Sequence, residues 1–155
     1  MILSWTSFIS IFLFRYIFKD YKADMRYLLL GTSFPIILDL ILNILNITEN
    51  YQFIGHSLFF SITLFFLIMI STNRNTILRK NSLLACIGIF FYLFLSFTWL
   101  NQSIFLFPLF PDSNSNFILS RNVEIILSLI GVVYFLFKIK NFTNLKYFLK
   151  SGLFI

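Results

Sequence analysis

This chain of 155 residues is 59% hydrophobic and 21% aromatic, with 12% charged residues and a formal net charge of +6. A soluble domain carries about 25% charged residues, so the composition excludes an ordinary water-soluble fold. The length allows one domain, residues 1–155.

Five apolar runs follow one another along the chain: Ile2–Phe18, Tyr27–Leu45, Phe53–Ile70, Leu83–Leu100 and Val123–Phe137. They are too long and too continuous for one face of a soluble helix. The expected fold class is all-α: an integral membrane helical bundle of about five transmembrane helices. The first run lacks a basic n-region and a small-residue cleavage site, and its cations follow it, so it reads as a span and not as a secretory signal.

The connectors alternate in charge. The first holds Lys19, Lys22 and Arg26, and the third holds Arg74, Arg79 and Lys80. The tail holds Lys138, Lys140, Lys146 and Lys150, while ITENYQ in the second connector has no Lys or Arg and the fourth has only Arg121. By the positive-inside rule this places the N-terminus and the 47–52 and 101–122 connectors outside, and the C-terminus inside. The net positive charge is therefore read as a topology signal in a prokaryotic cell membrane or an organelle inner membrane. The partners it implies are membrane lipids and a neighbouring membrane protein; nucleic acid is not expected, for want of a basic patch outside the membrane frame.

After the fourth run comes WLNQSIFLFPLFP, which is too apolar to float in water while Ile104–Phe110 is too short to span. A re-entrant or interfacial segment is expected there, with Trp99 at headgroup level. The closing NFTNLKYFLKSGLFI alternates Lys with aromatics and Leu, as either an amphipathic segment along the inner interface or a frayed tail would. The lone Cys86 allows no disulfide within one chain and reads as an apolar filler.

Polar groups inside the apolar runs are the candidate site. A carboxylate at the centre of a spanning helix costs about 2.5–3.5 kcal/mol on insertion scales, so Asp39 needs compensation. At helical spacing Asp39, Asn43 and Asn46 fall at i, i+4 and i+7 on one stripe. His56 opens the next run, and the short connector between the two makes them antiparallel neighbours. Asp39 is expected to face inward and meet His56. Glu124 opens the fifth run on the same side, with Ser128 and Gly131 below it on one face. Glu49 and Asp112 lie in outer connectors. Carboxylate and imidazole together suit a divalent cation such as zinc or manganese, whereas intramembrane polar groups also act as glue between helices. Both readings stand at this point.

Four stretches carry a resemblance. LLLGTSFPIILD (Leu28–Asp39), GHSLFF (Gly55–Phe60), WLNQSIFLFPLF (Trp99–Phe110) and NVEIILSLIGVVYFLFKI (Asn122–Ile139) stand in an order and spacing that resemble the membrane-bound metal-dependent hydrolases, also described as LexA-binding, inner-membrane-associated hydrolases. That family carries a pattern like G-S-L-L-P-D-x-x-D, then G-H-S-L-L-F, and later W-x-N-P-x-T-L-L-W-P-L-F. The resemblance implies a metal site using Asp39, His56 and Glu124, with Glu124 or Asp112 as a general base. It implies hydrolysis of an ester or phosphoester near the membrane surface.

The departures bear on activity. Ile36 stands where the family has its first carboxylate, and Tyr92 and Ser96 stand where it has H-x-x-x-D. MILSWTSF lacks the family's His-bearing first helix start. A hydrolytic centre takes about three protein ligands and an open position, so the expectation is a degenerate site. The alternative is a non-catalytic membrane scaffold or a subunit of a larger membrane complex. A transporter would need a discontinuous helix, of which only the Pro108–Pro111 region gives a sign.

Overall fold

Helix starts follow short polar side chains that take up the free N–H groups of a first turn. Asp24, Ser57 and Thr76 accept from the backbone N–H groups of Arg26, Phe60 and Arg79. The computed structural model describes residues 3–45, 54–109 and 119–153. The helices are α1 (Leu3–Phe18), α2 (Met25–Ile44), α3 (Leu58–Ser71), α4 (Ile77–Leu95), α5 (Gln102–Phe105), α6 (Arg121–Ile139) and α7 (Phe142–Ser151). Tight 3-10 turns cover Ile54–His56 and Thr98–Leu100, and there is no strand among the described residues.

Three helices, α2, α4 and α6, are long and apolar enough to cross a membrane, as the composition requires. The expected count was five. Two runs form shorter apolar helices, α1 of 16 residues and α3 of 14 residues. At 1.5 Å per residue these reach about 24 and 21 Å, against a hydrocarbon core of about 30 Å. Boundaries shift as well. The third helix begins at Leu58 because Ser57 caps it, and the fourth covers Ile77–Leu95 instead of Leu83–Leu100. Thr76 starts that helix early enough to include Arg79 and Lys80, and Phe97, with φ of 59° in the left-handed region, breaks the backbone just after it.

Contacts fix the direction of each helix. Ser4 Oγ donates to the Ser128 carbonyl and Phe8 stacks on Phe135, so α1 and α6 run parallel. The α2 helix runs the other way: Ser7 and Thr32 share a hydroxyl hydrogen bond of 3.1 Å mid-helix, and Phe14 near the end of α1 packs with Met25 at the start of α2. The start of α4 joins the same core through Leu84, and its far end receives the Trp5 indole N–H at the Leu95 carbonyl. The α3 helix leaves the α2 end near Asp39 and finishes where Arg79 donates to the Thr72 carbonyl. Directions thus alternate through the first four helices, and α6 returns parallel to α1.

Small residues let the helices approach. A Cβ placed on Gly31 would collide with the Ala85 carbonyl, and one on Gly88 would collide with the Leu28 carbonyl. Each glycine gives the partner helix direct access to its backbone, the way apolar helices associate where lipid competes for their side chains. Gly131 does the same for Ser4 and Trp5 between α6 and α1. The outward faces remain apolar: only 11% of the spanning window of α6 is buried inside the molecule.

The tail is a docked amphipathic helix. α7 buries Phe148 beside Ile11, Phe14, Met25 and Leu28, and leaves Phe142, Lys146 and Lys150 exposed. Gly152, at φ of 73°, turns the chain so that its carbonyl accepts from the Met25 N–H at 2.9 Å. Arg26 then bridges: its Nε and Nη2 donate to the Asp24 carboxylate at 2.8 and 2.5 Å. Its Nη1 donates to the carbonyls of Leu149 and Lys150 at the end of α7, where a cation satisfies unpaired carbonyls. That bidentate guanidinium holds the Asp24 carboxyl below the usual carboxylate range.

Candidate functional site

Asp39 and His56 meet because of what precedes each of them. Pro35 is buried within α2 and carries no N–H, so it packs as a flat surface on one side of the helix. Gly55 lies against it: a Cβ there would stand 3.2 Å from the Pro35 Cα. Asp39 lies one turn beyond Pro35 on the same face, and His56 follows Gly55. The Nε2 and Oδ2 atoms of the pair stand 2.6 Å apart. With the carboxylate ionised the imidazole nitrogen is the donor. The His56 side chain is 15% exposed and that of Asp39 is 32% exposed, so the pair is shielded on the imidazole side and partly open on the carboxylate side.

The second carboxylate oxygen, Asp39 Oδ1, is buried with no hydrogen-bond partner among the described residues. Tyr92 of α4 borders the imidazole, ring centres 5.3 Å apart. Just past the end of α4, Ser96 and Thr98 share a hydroxyl hydrogen bond of 2.6 Å. The short helix α5 packs against the Ile54–His56 turn, closing this end of the bundle.

The expected site residues separate into groups. Asp39 and His56 come together. Glu124 does not join them: it shares a face of α6 with Ser128 and Gly131, and that face packs on α1. Asp112, like Glu49 and Asn46, lies outside the described residues. Among the described residues no three His, Cys, Asp or Glu side chains gather in a way that could hold a metal ion. A hydrolytic zinc centre takes about three protein donors at about 2 Å from the ion. The described residues bring two such donors together, Asp39 and His56, and these are bonded to each other. Cys86 is buried and unpaired in α4.

Sequence reading missed the Pro35–Gly55 contact, although PIILD and GHS stand in the two stretches compared with the hydrolase pattern. It read Tyr92 only as a departure from that pattern, whereas Tyr92 borders the imidazole. No family model, no curated protein and no solved structure matches this chain.

Proposed function

We propose that this chain is a five-span membrane protein in which the Asp39–His56 pair joins the end of α2 to the start of α3, and that it works as a non-catalytic membrane scaffold or subunit. The 2.6 Å hydrogen bond between the two side chains carries the reading, because a direct bond engages both groups with each other. The alternating helix directions support five crossings. For the two short helices this entails local bilayer thinning, with the Ile54–His56 turn prolonging α3. The three basic segments meet at one end, and the positive-inside rule makes that the inner end of a prokaryotic cell membrane. The α5 segment then lies at the outer interface. The exposed apolar faces of α6 are open to lipid or to a second membrane protein.

One observation favours a second reading. Asp39 Oδ1 is a buried acceptor with no partner among the described residues, which suits a degenerate metal-dependent hydrolase acting on an ester or phosphoester at the membrane surface. Elemental content of protein purified gently in detergent separates the two. The scaffold reading expects no stoichiometric zinc or manganese, and an Asp39→Asn variant that remains folded. Near-stoichiometric metal that disappears in Asp39→Asn would overturn it in favour of the hydrolase.

A further inference from the structure

At the end opposite the Asp39–His56 pair, a groove of about 650 Å³ runs between the last turn of α1, the α1–α2 connector and the first turns of α4. Its walls are apolar, formed by Phe14, Phe18, Leu83 and Ile87. Its mouth is polar and is built from segments far apart in sequence, with Lys22 and Lys80 both lining it. An apolar cleft that ends at a cationic rim suits an amphiphile with an anionic head.

The carboxylates at the rim offset the lysines only in part, because Asp20 keeps its charge while Asp24 is paired elsewhere. Asp24 is engaged by the Arg26 guanidinium through two hydrogen bonds. Asp20 turns one oxygen to the Lys22 backbone N–H at 2.9 Å, as a local turn contact. Neither lysine ammonium has an ion pair among the described residues. The surrounding end of the bundle is cationic: the first and third connectors and the tail hold ten of the 12 Lys and Arg residues and two of the six carboxylates. Lysine as a compact charge on a flexible stem contacts phosphate without demanding one geometry.

We propose that this groove is a binding site for an anionic phospholipid, the headgroup phosphate held between Lys22 and Lys80 and an acyl chain laid along Phe18, Leu83 and Ile87. The inference rests on the reading that these helices cross a bilayer with this end at a headgroup layer. Zwitterionic lipid brings its own ammonium to the rim and is the weaker ligand.

The test uses the full chain in nanodiscs of phosphatidylcholine containing phosphatidylglycerol, with retained lipid counted by native mass spectrometry after release. The parent protein retains phosphatidylglycerol over phosphatidylcholine. Each of Lys22→Gln and Lys80→Gln lowers that preference about fivefold, the effect of one basic residue at an anionic surface. Lys22→Arg, which keeps the charge, restores it, and Lys146→Gln on α7 leaves it unchanged. Glycerol phosphate in solution does not displace the lipid; displacement would assign the rim to free phosphate and overturn the lipid proposal. Equal losses from Lys146→Gln would show general surface attraction and overturn the site. Failure of the parent chain to enter nanodiscs, with release by alkaline carbonate, would overturn the membrane reading itself.

Discussion

His56 Nε2 stands 2.6 Å from Asp39 Oδ2, a contact between helices whose connecting residues carry no cation that could serve either side chain. Each partner therefore depends on the other. Removing one leaves a polar group in apolar surroundings and costs about 1–3 kcal/mol. Asp39→Leu and His56→Leu are each expected to lower the midpoint of thermal unfolding in detergent. The double variant should lose less than the two single losses added together, because no orphaned partner remains. Additive losses would show that the two side chains contribute separately.

A second pair governs the bundle's centre. Gly31 and Gly88 each admit the backbone of the facing helix, and a side chain at either collides with a carbonyl that cannot turn aside. Gly88→Val is expected to cost about 3 kcal/mol or more, at the upper end of overpacking losses. Leu30, exposed one residue from Gly31, supplies the control: Leu30→Val should shift the unfolding midpoint little. Comparable midpoints for Gly88→Val and Leu30→Val would contradict a close α2–α4 crossing.

The Asp39–His56 contact was legible in the sequence because a carboxylate within an apolar run has few physical options and His56 follows after a short connector. The glycine crossing was not. Each helix contributes one glycine, so a search for two glycines four apart within a helix finds nothing. Helix ends were less legible, because they follow capping side chains that hydropathy alone does not read. Ile77–Arg79 reads as polar connector by charge, yet Thr76 caps it into α4. Glu124 illustrates the remaining difficulty. A position at the start of a helix fixes its height in the bundle, but the face is decided by Gly131 packing on α1.

The alternation of basic connectors sets a topology prediction. Single cysteines replacing Asn73 and Lys22 should both be blocked only by thiol reagents that cross the membrane. A cysteine replacing Gln102 should react with an impermeant reagent from outside. The structure already brings the Lys22 and Lys80 segments to one groove, so the first two sites must share a side. Labelling of positions 22 and 73 from opposite sides would rule out the arrangement, and labelling of both from outside would invert it.

The last prediction concerns acid. Arg26 ties the start of α2 to the end of α7, and its hold on Asp24 keeps that carboxyl titrating below its ordinary value. A depressed folded-state pKa means that the pair contributes fully above the unfolded value, about 3.9. The contribution is lost as pH falls through the folded one. Near neutrality this contribution is complete and does not vary with pH, and α7 should stay docked from about pH 5 upward. As pH falls through that lowered value, protonation removes the acceptor for Nε and Nη2, and the guanidinium no longer sits fixed beneath the Leu149 and Lys150 carbonyls. Limited proteolysis around Phe148 and Leu149 is the readout in detergent, with pepsin at acid pH and chymotrypsin near neutrality, each normalised to an unfolded substrate at the same pH. Cleavage should rise as pH drops through that window in the parent chain. Asp24→Asn should show the raised cleavage already at neutral pH, with no further acid step. Gly152→Ala provides the independent check: a Cβ there meets the Asp24 carboxylate, so it should loosen α7 at every pH. If the parent's cleavage does not change between pH 6 and about pH 2, the Asp24–Arg26 pair does not hold the tail.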